Sequence, residues 1–341
     1  MKRLLPLAWI VAAMSAWSAQ AQTPLSQKLA ELSQPYVDSQ QVVGLSIGVI
    51  QGDTTETLHL GKTALDESPP NDDTLYEIGS VSKVFTGVLL ADAVARGKLK
   101  LNQPAQSLMP EPKVMPLHNG SGTPITLLHL STHQSGLPRL PNNMPSLMSD
   151  NPYADYDSKL AYEFLGKHSL RRSPGSKNEY SNFAVSFLGH LLCLNANQSY
   201  DDLLEDRITQ ALGMPATRVT LGADLASRMA KPHDGQLDPS VNWDFADLPG
   251  AGGIRSSLSD MLSFARANLQ TPDGEIGQAL ELAWKQHAPA KGNGFAMGLG
   301  WHIARDGQTR WHNGQTGGYH SMLIVNRDQS LSVTVLSNTA T

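Results

Sequence analysis

Residues 76–96 read YEIGSVSKVFTGVLLADAVAR, and this stretch decides both the predicted fold and the predicted chemistry. Its apolar residues recur at the spacing of one helix face. These positions are Val81, Val84, Phe85, Val88 and Leu89. The pattern predicts a helix that begins after Gly79 and packs one face in a core. Ser80 then lies in the first helical turn.

That first turn pairs a hydroxyl with an amine. Ser80 and Lys83 are three residues apart, and residues at this spacing share a helix face. A serine becomes a nucleophile when a neighbouring base takes its proton, and a lysine is such a base once burial or nearby charge lowers its pKa. The free N–H groups of a first turn also stabilise an oxyanion. By chance alone, however, an S-x-x-K occurs on the order of once in a chain this long, so the function must rest on further motifs.

The composition excludes several classes of protein. The 341 residues carry a net charge of −5, with acidic and basic residues interspersed. Because there is no basic block, neither nucleic acid nor an anionic membrane is an expected partner. We expect a small-molecule substrate, or one derived from the cell wall, and a monomer. The length predicts two domains, or one domain with a large insertion.

The N-terminus is typical of a secretory signal peptide. Basic residues precede the apolar residues 4–17, and Ala19-Gln20-Ala21 forms a small-residue cleavage site. We therefore expect residues 1–21 to be removed by a cut after Ala21, and the protein to be periplasmic or secreted. Later apolar runs are too short for a membrane span. The single cysteine, Cys193, excludes an internal disulfide.

Strand-like alternation at both ends of the chain, with helical patterns between, predicts an α+β or α/β fold. Residues 43–49 alternate as in a strand with one buried face, and residues 298–338 contain further strand patterns separated by turns. Residues 104–249 carry helical patterns joined by loops rich in Pro, Asn and Gly. We expect residues 22–103 and 250–341 to form a sheet-containing domain, residues 104–249 to form an inserted all-helical domain, and the site to lie in a cleft between them.

Two other motifs are interpreted as structural. Residues 44–48 match the nucleophile-elbow pattern G-x-S-x-G, but the alternation runs straight through Ser46, whereas an elbow needs a helix after its serine. His129 and His133 have the spacing of metal ligands, but the zinc-protease pattern requires Glu where Leu130 stands, and no third ligand is evident. We therefore predict neither a metal centre nor a cofactor.

The tripeptide Tyr180-Ser181-Asn182 is the single Y-x-N of the chain. Tyr180 offers a phenol that relays a proton when a lysine holds its pKa down, and Asn182 offers an amide that binds a substrate amide or the lysine. By itself the tripeptide is typical of a helix cap.

The tripeptide His312-Asn313-Gly314 precedes an apolar strand. A histidine in this place supplies a proton or binds an anion, and a small residue lets the strand backbone approach a ligand closely. His118 and His233 begin similar tripeptides. Strand context and the position after the other two motifs favour His312.

Taken in this order, the three motifs resemble those of the class C β-lactamase family, which includes D-alanyl-D-alanine carboxypeptidases and β-lactamase-like esterases. The lead-in YEIG and the segments ITLLHLSTHQSGLP, PGAGGIRSSLSD and GLGW are also similar, and the resemblance runs from about residue 25 to the end. It implies a β-lactamase/penicillin-binding-protein-like fold, in which helices flank an antiparallel sheet. It also implies a serine acyl-enzyme mechanism.

The resemblance further implies a role for each matched residue. Ser80 would be the nucleophile, with Lys83 and Tyr180 as the proton-transfer pair. Which of these two is the base stays open, because their protonation is coupled. The implied substrate-binding residues are Asn182, His312, Asn313, Gly314 and Gln315. His312 and Gly314 replace the family's K-T-G motif, and the N–H groups of Ser80 and Gln315 would form an oxyanion hole.

Three departures from the family leave the substrate open. His312 stands where class C β-lactamases have lysine, and because a histidine titrates near pH 6.5, we expect a His312-dependent change of activity near neutrality. Leu140 occupies the place of a glutamine that binds the acyl side-chain amide, although Asn142 or Asn143 could substitute. The family's final helix is missing after the last strand, so we expect either a fragment or one sheet face that is undercovered.

Three hypotheses follow. The first is a serine hydrolase that acts on β-lactams or D-Ala-D-Ala peptides. The second, favoured by Leu140 and His312, is a short-chain carboxylesterase of the same fold. The third is a non-catalytic protein that captures β-lactams.

Overall fold

Strands from both ends of the chain form a single large sheet. The strands are β1 Gly44–Gln51, β2 Thr54–Gly61, β3 Leu75–Glu77, β4 Arg255–Ser257, β5 Ala296–Met297, β6 His302–Ile303, β7 Thr309–Gln315, β8 His320–Asn326 and β9 Leu331–Ser337. Seven of them pair antiparallel in the order β2-β1-β9-β8-β7-β6-β5, and β3 pairs with β4 separately. The predicted antiparallel sheet built from the two ends of the chain is confirmed.

The computed structural model describes residues 25–65, 68–118, 122–291 and 294–341. The predicted signal peptide lies outside these residues. Within them, no helix is both long enough and apolar enough to cross a membrane.

Helices cover the sheet and fill the middle of the chain. They are α1 Leu25–Asp38, α2 Ser82–Ala95, α3 Leu127–Ser131, α4 Ser158–Lys167, α5 Asn182–Ala196, α6 Tyr200–Leu204, α7 Gln210–Leu212, α8 Ala223–Ala226, α9 Leu258–Leu269 and α10 Glu275–Trp284. A π-helical stretch, Glu205–Thr209, joins α6 to α7. No strand of the large sheet falls in the described part of residues 104–249. The division into domains at residues 103 and 249 stays a prediction.

Helix α2 is the centre of the core, and the prediction that it buries only one face is wrong. Every residue from Ser82 to Asp92 is buried. The ring of Phe85 stacks on that of Phe264 in α9, with the centroids 4.2 Å apart. A helix that is apolar on all sides is stable only when other elements surround it. The turn that precedes α2 is therefore held in a fixed place.

Strand β1 also differs from its expected pattern. Seven of its eight residues are buried. Both faces are covered, because Ile47 and Val49 pack with Leu25 and Leu29 of α1, whereas Gly48 lies against Leu262 of α9. The strand continues through Ser46, whose hydroxyl bonds the Tyr76 hydroxyl at 2.9 Å. The structural interpretation of G-x-S-x-G is therefore confirmed. Pro35 lies inside α1, which ends three residues later at Asp38.

Two glycines bring strand β7 against the turn that carries Ser80. A β-carbon on Gly314 would lie 2.0 Å from the carbonyl oxygen of Ile78. Gly79 has a φ of +48°, and a β-carbon on it would lie 2.7 Å from the backbone nitrogen of Gln315. Only glycine tolerates these approaches. The end of β7 therefore runs directly beside the start of the central helix.

The central helix makes a similar close contact at Gly87, and this contact generates a prediction about stability. A β-carbon on Gly87 would lie 2.1 Å from the carbonyl oxygen of Leu299. Although alanine favours a helix, we expect Gly87→Ala to lower the free energy of unfolding by about 1–3 kcal/mol, the cost of an overpacked core.

Gly166→Ala in α4 is the matched control for Gly87→Ala. A β-carbon on Gly166 would meet only Val114, at an ordinary contact distance of 3.6 Å, so we expect this variant to be neutral or slightly stabilising. Urea unfolding of both variants measures the difference. Equal stability of the two variants would contradict the packing described here.

Candidate active site

Ser80 and Lys83 form the hydrogen bond that their spacing predicts. The Lys83 Nζ atom lies 2.9 Å from the Ser80 hydroxyl oxygen and donates to the carbonyl oxygen of Ala251 at 2.7 Å. Ser80 lies in the short 3₁₀ turn Gly79–Val81, and Lys83 lies in the first turn of α2. The side chain of Lys83 is fully buried, whereas Ser80 is partly exposed.

The surroundings of Lys83 favour a neutral amine. Burial lowers its pKa well below the ordinary value, and the positive charge of Arg139 lowers it further. No carboxylate of the described residues forms an ion pair with Lys83. A neutral amine keeps a lone pair that can accept a proton. The arrangement therefore supplies a base beside the serine hydroxyl.

Tyr180 completes the group. It lies just before α5, and its ring centroid is 4.9 Å from Lys83 Nζ. Burial raises the pKa of the Tyr180 phenol above its ordinary value, and a hydrogen bond with Ser80 lowers it in part. The phenol is therefore protonated near neutral pH. The structure brings together Ser80, Lys83 and Tyr180 as the sequence predicts.

A groove opens in front of these residues. Its walls include Ser80, Tyr153, Asn182, Gln315 and Thr316. The Asn182 amide donates to the Tyr153 hydroxyl at 3.1 Å, and its Oδ1 atom is buried with no hydrogen-bond partner among the described residues. The structure thus places Asn182 at the groove, bonded to Tyr153 and not to Lys83. Tyr153 itself was not predicted as part of the site.

Strand β7 presents its predicted residues on two different faces. His312 and Gly314 are buried and point the same way, because alternate residues of a strand share a face. Asn313 lies on the opposite face, and only its carbonyl oxygen, which accepts a hydrogen bond from His312 Nδ1 at 2.7 Å, contributes here. Gln315 is exposed at the end of the strand and lines the groove.

A cluster of buried imidazoles lies behind Tyr180. The ring of His133 lies 4.4 Å from that of Tyr180, and the rings of His302 and His312 lie 6.1 and 6.2 Å away. The rings of His302 and His312 are 4.7 Å apart. Each of the three histidines has one ring nitrogen that is buried without a hydrogen-bond partner among the described residues. Sequence reasoning missed His302, although it directly follows the GLGW segment.

The histidine cluster is uncharged near neutral pH. Burial, with a smaller contribution from Lys83, lowers the pKa of His302 to about 4. Burial and then His302 lower the pKa of both His133 and His312 well below the ordinary value. The expected titration of His312 near neutrality is therefore wrong. It assumed a solvated imidazole, whereas this one is buried beside other bases.

The remaining sequence candidates have structural roles. His129 forms a capping box with Thr126 at the start of α3, as its structural interpretation predicts. In the described part of the chain, no group of His, Cys, Asp or Glu is placed to hold a metal ion.

The position that corresponds to the family's glutamine for the acyl side-chain amide is apolar in the structure too. Leu140 lines a second, apolar pocket that shares Tyr153 with the groove. Asn143 does not replace the missing glutamine, because its amide donates to the carbonyl of Leu160 and its oxygen accepts from the Tyr156 hydroxyl.

Sequence comparisons with known proteins show the family of this chain. The sequence model of the family described as Beta-lactamase matches residues 29–341. A β-lactamase of Pseudomonas fluorescens is 30% identical over 292 residues, which cover 82% of this chain and 75% of the relative. The D-alanyl-D-alanine-carboxypeptidase/endopeptidase AmpH of Escherichia coli K12 is 28% identical over 320 residues, which cover 88% of this chain and 81% of the relative.

Solved structures show the same fold. A class C β-lactamase from Rhodobacter sphaeroides superposes with a TM-score of 0.80 at 23% identity, covering 93% of this chain and 95% of that one. A β-lactamase/D-alanine carboxypeptidase from Yersinia pestis, complexed with citrate, also gives a TM-score of 0.80 at 23% identity, covering 92% and 93% of the two chains. The predicted β-lactamase/penicillin-binding-protein-like fold is confirmed. The chain belongs to the Beta-lactamase family and is a serine hydrolase.

Proposed function

We propose that this protein opens β-lactams or cleaves D-Ala-D-Ala peptides through an acyl-enzyme on Ser80. The observation that carries the proposal is the hydrogen bond between Ser80 and a buried Lys83, with Tyr180 beside both and a groove in front. The β-lactamase and carboxypeptidase relatives support the same substrate classes. Both reactions transfer an acyl group from nitrogen to a serine oxygen.

In the first step, Lys83 takes the proton of Ser80 while the serine oxygen attacks the substrate carbonyl. The opposite pKa shifts favour this assignment, because Lys83 is shifted toward its neutral form and Tyr180 toward its protonated form. An amine with a free lone pair accepts the proton without first losing its own. The hydrogen bond that Lys83 Nζ donates to the carbonyl oxygen of Ala251 keeps the amine in place.

The negative charge that develops on the carbonyl oxygen would be stabilised by the backbone N–H groups of Ser80 and Gln315. The close packing of Gly79 on Gln315 supports this pairing. The loss of one oxyanion-hole donor typically reduces the rate roughly 10²-fold to 10³-fold. Gly314 serves this arrangement indirectly, because a larger residue would push the strand away from Ile78.

Tyr180 then donates its proton to the departing nitrogen, and the Lys83 ammonium returns the proton to the phenol. Tyr180 is half-buried and its ring centroid lies 4.9 Å from Lys83 Nζ, which supports this relay. Asn182, which faces the groove, would bind the amide on the acyl side of the substrate. His312 is buried and uncharged, so it would not bind an anionic group directly. Its hydrogen bond to the carbonyl oxygen of Asn313 would instead help to hold strand β7 in position beside the substrate.

We also propose that the protein works in the periplasm or outside the cell. This rests on the signal-peptide pattern of residues 1–21. Both proposed substrate classes, β-lactams and stem peptides, are encountered there.

A short-chain carboxylesterase is the second candidate, and one observation favours it. The pocket beside the groove is lined by apolar side chains such as Leu140, Met144 and Phe183. An apolar acyl group would fill such a pocket without leaving polar atoms unpaired. Faster hydrolysis of p-nitrophenyl butyrate than of a cephalosporin, with a stable penicillin adduct, would select this candidate.

Turnover of a chromogenic cephalosporin and of an N-acylated D-Ala-D-Ala peptide tests the proposed function. We expect the protein to hydrolyse at least one of the two, and Ser80→Ala to lose that turnover by roughly 10³-fold or more, because no other group forms the acyl bond. The matched control is Ser46→Ala, which removes the serine of the rejected G-x-S-x-G motif and should retain most of the turnover.

Two outcomes would contradict the proposed function. Equal turnover in the wild type and in Ser80→Ala would exclude the acyl-enzyme. Stoichiometric attachment of penicillin to Ser80, without turnover of either compound or of the butyrate ester, would instead identify a non-catalytic β-lactam-binding protein.

The pKa directions of the histidine cluster predict the pH profile between about pH 6 and pH 8. A histidine whose pKa lies well below 6.5 stays neutral across this range, so His312 contributes no charge change. We expect His312→Gln to alter the level of kcat/KM without altering the shape of its pH profile there. An inflection near pH 6.5 that is present in the wild type and absent from His312→Gln would show that the imidazole is solvated.

A further inference from the structure

Arg139 places a positive charge at the edge of the site. Its guanidinium carbon lies 5.2 Å from the centroid of the Tyr180 ring, and the residue is exposed. Its carbonyl oxygen accepts hydrogen bonds from the backbone N–H groups of Asn182 and Phe183, at 3.1 and 3.2 Å. The residue is thus anchored beside the start of α5, while its side chain rests against the phenol.

No acidic group of the described residues neutralises this charge. Arg139 takes part in none of the ion pairs found there and in no side-chain hydrogen bond. By contrast, another arginine near the groove forms ion pairs with two carboxylates. Arg255 lies 3.7 Å from Glu77 and 3.3 Å from Asp244. A guanidinium with free N–H groups is a ready partner for a carboxylate.

Among the described residues, the other basic groups around Tyr180 are Lys83 and the cluster of His133, His302 and His312, and none of them supplies a positive charge near pH 7. Lys83 has a lowered pKa and is needed as a neutral base. His302 and His312 are buried and neutral near pH 7. If an anionic part of the substrate approaches Tyr180, Arg139 is therefore the cation that it meets.

Both proposed substrate classes carry such an anionic part. In a D-Ala-D-Ala peptide and in a bicyclic β-lactam, a carboxylate is attached to the atom next to the scissile nitrogen. That nitrogen must approach the Tyr180 hydroxyl to receive a proton. We propose, on the basis of the proposed function, that Arg139 binds the carboxylate of the leaving group and so selects substrates that end in a free acid.

Two simpler roles of Arg139 predict different behaviour. If Arg139 served only to lower the pKa of Lys83, its removal would shift the pH profile for every substrate. If it served only to hold the Tyr180 ring through a cation–π contact, its removal would lower kcat for every substrate. Carboxylate binding instead affects acidic substrates alone, and mainly through KM.

The test compares an N-acylated D-Ala-D-Ala peptide with the same peptide amidated at its C-terminus. For Arg139→Gln we expect kcat/KM on the acid to fall roughly tenfold to a hundredfold, as for a lost charge-assisted hydrogen bond, mostly through KM. Turnover of the amide and of p-nitrophenyl butyrate should change little at a pH where the rate has levelled off, because Lys83 is neutral there with or without the charge of Arg139. Arg139→Lys should lose less than Arg139→Gln, since it keeps the charge. Arg305→Gln, an exposed arginine in the turn between β6 and β7, is the matched control.

Calorimetric binding of the same two peptides to Ser80→Ala, with and without Arg139→Gln, separates this proposal from the proposed function. Preferential binding of the acid that disappears with Arg139→Gln supports the carboxylate site even if the wild type hydrolyses nothing. The proposal is overturned if Ser80→Ala shows no preference for the acid, or if Arg139→Gln weakens acid and amide equally in binding or in turnover.

Discussion

The site depends on one hydrogen bond, between the partly exposed Ser80 hydroxyl and the fully buried Lys83 amine. A lysine that is fully buried without an acidic partner is more stable uncharged, because desolvation penalises the ammonium form. The same burial that would be costly for an ordinary lysine makes this one a base. Helix α2 provides the burial, since it is enclosed on all sides from Ser82 to Asp92.

The rest of the fold brings other segments to this hydrogen bond. Strand β7 reaches the serine turn because Gly79 and Gly314 leave room for backbone against backbone. Helix α5 brings Tyr180 and Asn182 from the middle of the chain. The cluster of His133, His302 and His312 lies behind the phenol and carries no charge near neutral pH. None of these neighbours offers a negative charge that would hold Lys83 as an ammonium ion, so the site keeps its base neutral. Arg139 adds a positive charge from the exposed side and acts in the same direction.

Local signals in the sequence predicted much of this. The S-x-x-K pair was recognisable because helical spacing alone places Ser80 beside Lys83. The strands near both ends of the chain were recognisable from period-two alternation, and the order of the motifs indicated the family. Tertiary packing was not recognisable in this way. Whether β1 is buried on one face or on both depends on which helices pack on the two sides of the sheet. The pKa of His312 depends on burial and on His302, which lies on the neighbouring strand. Tyr153 belongs to no motif, and Arg139 lies just outside the matched segment that ends at Pro138. Only the folded chain shows Tyr153 in the groove and Arg139 against the Tyr180 ring.

The neutral state of Lys83 is tested most directly by the pH dependence of Ser80 acylation by penicillin, followed over time by mass spectrometry of the intact protein from about pH 5 to pH 11. A group with a lowered pKa is in its neutral, proton-accepting form at any pH above that lowered value. We therefore predict that the acylation rate rises with pH and levels off well below the ordinary lysine value of about 10.4, with the adduct on Ser80. A rate that keeps rising until about pH 10.4 would show that Lys83 is an ordinary ammonium ion at neutral pH, and would contradict its role as a neutral base.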